Sequence, residues 1–140
     1  MSRLDKDQYF LKIAQVVALR STCIRRQYGA VIVSTRGTII STGYNGAPVG
    51  EPNCCDVGYC WREENNIPHG QRYELCKSTH AEQNAIISAN PLDMEGSTLY
   101  LAGWEHGKPI DGPQPCEMCR RFIKNARIAR VVTGKELPDA

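Results

Sequence analysis

The order of apolar patterns predicts an α/β fold, with one sheet covered by helices on both faces. Three observations carry this: a helical pattern at the N-terminus, a β-branched hairpin after it, and two further rounds of helix followed by strand. From Lys6 to Arg20, the residues Tyr9, Phe10, Ile13, Val16, Val17 and Arg20 recur at spacings of three and four, which predicts a helix with one buried face. Ala30 to Val33 and Thr38 to Ser41 are β-branched runs joined by Ser34-Thr35-Arg36-Gly37, a hairpin whose Gly37 suits a positive φ. Gly43 to Pro48 is expected to be irregular, because glycine and proline punctuate it.

The stretch from Val49 to Lys77 is polar and aromatic and holds four of the seven cysteines. It is too long for an ordinary loop, so an internal element or a metal is expected to order it. Ala81 to Ala89 reads as a helix stopped by Pro91, and Ser97 to Ala102 as a strand. A Gly- and Pro-rich loop is expected from there to Pro115. Cys116 to Ala126 reads as a helix, Arg130 to Thr133 as a last strand, and the tail from Lys135 to Ala140 as loose.

Residues 1–140 read as one domain, with no internal repeat or boundary. Seventeen basic against fifteen acidic residues leave a net charge of +2, too balanced to imply binding to nucleic acid or membrane. The Arg25-Arg26 and Arg120-Arg121 pairs are candidates for holding a single phosphate. The N-terminus has mixed charge and no signal-peptide pattern, and no apolar run reaches bilayer length, so a cytoplasmic setting is expected. There, an odd number of cysteines points to metal or catalysis rather than to disulfides.

The informative residues are His80-Ala81-Glu82 and Pro115-Cys116-Glu117-Met118-Cys119. Two thiolates three positions apart at a helix start reach one metal ion, and an imidazole from another helix start completes a set of three. Helix N-termini favour thiolate over thiol. Three protein ligands leave a tetrahedral zinc one position for water, as in a catalytic site. Glu82, two residues after His80, is placed to take a proton from that water without ligating. The chemistry that follows is hydrolytic attack on an sp² carbon bearing an amino group, with the same carboxylate delivering protons to the ring nitrogen and the leaving ammonia. His-x-Glu followed by Pro-Cys-x-x-Cys resembles the signature of zinc nucleobase deaminases.

From about Asp5 to Thr133 the chain resembles the deoxycytidylate (dCMP) deaminase family. The resemblance rests on Cys23-Ile24-Arg25-Arg26 before Gly29 to Val33, on Ile40 to Pro48 with its Gly43-Tyr44-Asn45-Gly46-Ala47-Pro48, and on Asn53-Cys54-Cys55-Asp56. His80 to Ile86 and the Pro-Cys-x-x-Cys complete it. The resemblance implies a three-layer α/β/α cytidine deaminase-like fold, with a mixed sheet of about five strands flanked by helices. It implies hydrolysis of dCMP to dUMP and ammonia, supplying dUMP for thymidylate synthesis, and a homohexamer. It further implies dCTP and dTTP as effectors, with Mg²⁺ accompanying the effector nucleotide. By the same token Asn45 contacts substrate, and Gly43, Tyr44 and Gly46 belong to an effector-binding motif. For the substrate phosphate Arg26 is the choice, since it precedes a strand that ends near the site.

Some relatives hold a second, structural zinc. Carried over, its ligands are Cys23 and Cys54 with His69 and Cys76, while Cys55 and Cys60 are substitutes. The segment from Gly103 to Gly112 departs from the family, where the corresponding connection is short. Trp104 is expected to anchor it on the core, and His106 to be exposed. Rival readings are a deaminase acting on dCTP, on a modified cytosine nucleotide or on a base in nucleic acid, and a non-catalytic zinc module. The last leaves Glu82 without a purpose.

Overall fold

The computed structural model describes residues 2–68, 70–71 and 76–134. His69, offered above to a second zinc, and the tail 135–140 lie outside the described residues. In chain order the elements are α1 (Lys6–Ala18), β1 (Arg26–Val33), β2 (Ile39–Tyr44), α2 (Cys54–Val57), α3 (Trp61–Glu64), α4 (Ala81–Ile87) and α5 (Pro91–Met94). They continue with β3 (Thr98–Glu105), β4 (Lys108–Pro109), α6 (Glu117–Asn125) and β5 (Arg130–Thr133).

α1 starts where the sequence allows a reciprocal cap: Gln8 N donates to Asp5 Oδ1 at 2.8 Å, and Asp5 N donates to Gln8 Oε1 at 3.2 Å. Its buried stripe is Phe10, Leu11, Ala14 and Ala18. Tyr9 and Val16, expected on that face, are exposed. The helix turns its alanines to the sheet, because small side chains let it lie close, and the bulkiest apolar residues mislead about the face.

Strand β1 is antiparallel to both β2 and β3, so β2 and β3 run the same way. The far edge of β3 is shared by β4, antiparallel, and β5, parallel. This is the mixed sheet of five strands among the described residues, and α6 is the crossover between its parallel pair. Alternation along the central strands builds two cores. Val31, Val33, Tyr100 and Ala102 pack against Phe10, Leu11 and Ala14 of α1. Ala30, Ile32, Leu99 and Leu101 pack against Ala81 and Ala85 of α4 and Ile123 of α6. Each fully buried Ile or Leu stabilises the fold by roughly 1.5–3 kcal/mol. Helices therefore cover both faces, in the three layers expected.

Two segments differ from expectation. Gly43 and Tyr44 belong to β2, not to a loop, because glycine here serves the close approach of α4 rather than a turn. Gly103 to Glu105 continue β3, and His106-Gly107, with φ of 52° and 75°, close a tight hairpin to β4. The Gly and Pro content of 103–115 conceals this hairpin. Gly37, at φ 85°, closes the first hairpin as anticipated. Pro91 both follows α4 and opens α5 at its first turn, where its missing N–H costs nothing. No described helix is long and apolar enough to cross a membrane.

Candidate active site

His80 and Cys116 occupy the caps of α4 and α6, two helices on the same face of the sheet. The segment before His80 is fixed by a bridge: Thr79 N donates to Gly46 O at 2.7 Å and Gly46 N to Thr79 O at 3.1 Å. His80 N then donates to Gln83 Oε1 at 3.0 Å. α4 is tied to β2 by Ser41 Oγ on Ala85 O at 2.7 Å and by Asn84 Nδ2 on Tyr44 O at 2.8 Å. At the other helix, Cys119 N donates to Cys116 Sγ at 3.4 Å.

These supports bring three ligand atoms together. His80 Nδ1 is 3.5 Å from Cys116 Sγ and 3.3 Å from Cys119 Sγ, and all three atoms lie within 4.8 Å of one another. A tetrahedral zinc with ordinary bonds to nitrogen and sulfur would separate such atoms by about 3.5 Å, so the set fits that ion. A hydrogen bond from Cys119 holds the Cys116 thiol at about 4, and that same sharing, with burial, pushes Cys119 up. The hydrogen bond with Cys116 raises His80. Such readily ionised sulfur beside imidazole is the chemistry of a zinc site.

Glu82 is buried, at 5% exposure, on the first turn of α4. Burial raises its carboxyl above the usual range, while the charge of His80 and the Cys119 thiol pull the other way. A raised carboxyl suits a group that must both take and give a proton. With His80 and Cys116, it lines a cavity of about 710 Å³ walled also by β1 and the 110–115 segment. That volume accommodates a nucleotide-sized molecule.

The remaining predicted residues fall into four groups. Asn45 and Arg26 both line this cavity. Asn45 uses its amide on the protein itself: Nδ2 donates to Arg26 O at 2.9 Å, and Oδ1 accepts Tyr28 N at 2.8 Å and the Ser21 hydroxyl at 2.5 Å. Gly43 and Tyr44 are built into β2, where Gly43 makes the close contact with α4, and Gly46 into the Thr79 bridge. The thiols of Cys23 and Cys54 are raised by burial first and also by nearby Cys60 and Cys76. Cys23, Cys60 and Cys76 line the cavity and Cys54 lies near enough to act on Cys23, but among the described residues only the His80 set is close enough to share one ion, and Cys55 is exposed. Trp104 anchors its segment by donating from Nε1 to Gln15 O at 3.0 Å, and His106 is exposed, both as expected.

Two contributors were not singled out by the sequence. Arg62 is buried in the cavity wall and spans the 68–71 turn, donating to Pro68 O at 2.8 Å and Gln71 O at 2.5 Å. Glu105 faces Arg26 across two strands, at 2.9 Å. Neither carries a local signal: each acquires its place from chain segments that meet only in the fold.

The family model for the cytidine and deoxycytidylate deaminase zinc-binding region matches residues 4–135. The chain belongs to this family. Within it, the deoxycytidylate deaminase of Mycobacterium phage D29 is 38% identical over 140 residues, covering 97% of this chain and 99% of the phage protein. The mouse deoxycytidylate deaminase is 35% identical over 131 residues, and there the alignment covers 92% of this chain but only 64% of the relative. Among solved structures, the dCMP deaminase of cyanophage S-TIM5 in complex with dCMP and dUMP superposes with a TM-score of 0.65 at 25% identity, covering 95% of this chain and 83% of that one. Cytidine deaminase from Burkholderia pseudomallei, at 16% identity and a TM-score of 0.56, shares the fold.

Proposed function

We propose that this protein is a zinc-dependent hydrolase that converts dCMP to dUMP and ammonia. The observation that carries this is the meeting of His80, Cys116 and Cys119 beside a buried Glu82, with His80, Glu82 and Cys116 lining the cavity. The near full-length similarity to the phage deoxycytidylate deaminase supports the choice of substrate. His80, Cys116 and Cys119 would hold a zinc ion, which would supply the Lewis acidity that makes water a nucleophile at neutral pH. Glu82 manages the protons. It takes one from the water that adds to C4 of the cytosine ring, gives it to N3, and passes the next to the departing amino group. Arg26 receives the 5′-phosphate, and the second N–H of the Asn45 side-chain amide is directed to the substrate.

The gathering of Cys23, Cys54, Cys60 and Cys76 supports a second, structural zinc, with Cys60 or His69 beside the other three. A single domain over 1–140 and a cytoplasmic setting belong to this reading from the sequence pattern, while assembly as a homohexamer and regulation by dCTP and dTTP with Mg²⁺ through Gly43, Tyr44 and Gly46 belong to it through the family alone.

The test is a substrate panel of dCMP, dCTP, deoxycytidine and single-stranded DNA, followed by chromatography, with and without dCTP and Mg²⁺. dUMP and ammonia from dCMP are expected as the preferred products. Preferred turnover of dCTP or of DNA would overturn the assignment.

A further inference from the structure

Arg26 and Glu105 stand opposite each other in the β1–β3 pairing. Arg26 Nη2 lies 2.9 Å from Glu105 Oε2, and Arg26 Nη1 donates to Tyr28 Oη at 3.2 Å. The Tyr28 ring lies against β3 at Gly103, where a Cβ would stand 2.7 Å from Tyr28 Cδ1. Asn45 holds the backbone beneath, bonding Arg26 O and Tyr28 N. Arg26, Tyr28 and Asn45 line the cavity, whereas Glu105, in contact with Arg26, is not among the lining residues. Glu105 is carried by the β3–β4 hairpin, the segment in which this chain departs from the family pattern.

We propose that Glu105 is a positioning residue: by holding Nη2 it presets the Arg26 guanidinium to receive the 5′-phosphate of the substrate. This rests on the reading of the protein as a cytosine-nucleotide deaminase. An arginine side chain carries considerable rotamer freedom, and fixing it before the ligand arrives removes that ordering cost from binding. The carboxylate also repels a phosphate. Contact decides between the two effects, because Glu105 bonds the Arg26 guanidinium at 2.9 Å and is not itself among the residues that line the cavity. Orientation wins, and the benefit falls on ground-state binding rather than on the chemical step.

Steady-state kinetics with dCMP and with deoxycytidine, which lacks the phosphate, test this. Glu105→Ala is expected to raise KM for dCMP by about 3- to 10-fold with kcat within about twofold, the size of one partly exposed charge-assisted contact. Activity on deoxycytidine stays unchanged. Glu105→Gln, whose amide oxygen still accepts from Nη2, restores most of the wild-type KM. In an Arg26→Ala background, Glu105→Ala has no further effect on KM. A KM that falls or stays constant, an equal loss on both substrates, or an unchanged effect in the Arg26→Ala background each overturns the role of Glu105. A wild-type enzyme that does not favour dCMP over deoxycytidine instead overturns the nucleotide reading itself, before any variant is made.

Discussion

Gly43 and Ala85 touch so closely that a single methyl group would not fit between them. A Cβ at position 43 would stand 2.3 Å from Ala85 N and 2.5 Å from Ala81 O. Both are backbone atoms of α4, the helix that carries His80 at its cap and Glu82 in its first turn. Gly43→Ala must therefore push the helix off β2. The expected cost is about 1–3 kcal/mol, as for other overpacked interiors, read as a lower urea midpoint with an unchanged m-value. Because the displaced helix carries His80 at its cap and Glu82 in its first turn, turnover is expected to fall as well. An alanine variant of wild-type stability would show that α4 does not rest on this contact.

Replacing Glu82 by Gln separates proton transfer from metal binding. The side chain keeps its size in a buried place, and the zinc ligands are untouched. Turnover is expected to fall by roughly 10²–10⁴-fold, the usual contribution of a positioned acid–base group, while zinc content by metal analysis stays at the wild-type value. A variant that loses zinc along with activity would show Glu82 to be a ligand or a support for one.

Losing one of the three ligands has the opposite signature. Cys119→Ser, at a fully buried sulfur, is expected to weaken zinc binding by more than the roughly 10- to 100-fold that loss of an outer partner costs. A competition titration against a chromophoric chelator measures it. Chelation of the wild-type enzyme abolishes turnover, and added zinc restores it. Activity that survives complete removal of metal would refute the hydrolytic scheme.

What the sequence revealed followed from how local each signal is. His80, Glu82, Cys116 and Cys119 were legible because each pair shares a helix start, so a spacing of two or three residues already fixes their relation. The alternation along β1 and β3 was legible for the same reason. Glu105 was not: its partnership with Arg26 depends on the register of two strands far apart in the chain. Nor was Arg62, whose bonds to Pro68 O and Gln71 O depend on how a polar segment folds back on itself. Gly43 was expected in an irregular segment and lies in a strand, because glycine marks close backbone approach and chain breaks alike.

Asp7, Tyr100 and Arg130 join α1 to β3 and β5 on the face away from the active site. Asp7 Oδ2 accepts Arg130 Nη2 at 2.6 Å, and Oδ1 accepts Arg130 Nη1 at 3.1 Å and Tyr100 Oη at 2.8 Å. The Arg130 hydrogen bonds hold the Asp7 carboxyl below its ordinary value, against a smaller opposing effect of burial. A depressed carboxyl stabilises the fold above its unfolded pKa of about 3.9, and that contribution is lost as pH falls through the lower folded value. Both partners are more than a third exposed, so an Asp7→Ala/Arg130→Ala cycle at pH 7 is expected to give only about 0.2–1 kcal/mol of coupling. The coupling vanishes below the folded pKa. Tyr100 is pushed up to about 12, by burial first and then by Asp7. It contributes a loss of stability between about pH 10 and 12 that Tyr100→Phe removes. Coupling that persists in strong acid would mean that packing, not charge, links the three.

The polar stretch after β2 needs a source of order that its side chains do not provide. Helix α2 buries none of its residues and α3 buries Arg62 alone. Yet α2 is fastened to the 22–23 segment by Cys55 N on Thr22 O at 3.1 Å, which brings Cys54 towards Cys23. A closed zinc site built on Cys23, Cys54 and Cys76 would supply that order directly, since structural zinc contributes folding free energy outright. Metal analysis of the purified protein is then expected to give two zinc ions per chain. Cys23→Ser leaves one and lowers the melting temperature, with the His80 site still loaded. Cys60→Ser and His69→Ala identify the fourth ligand, since only one of them reproduces the loss. One zinc per chain, together with a Cys23→Ser variant that melts like the wild type, would leave the cysteine cluster as four reduced thiols and no second site.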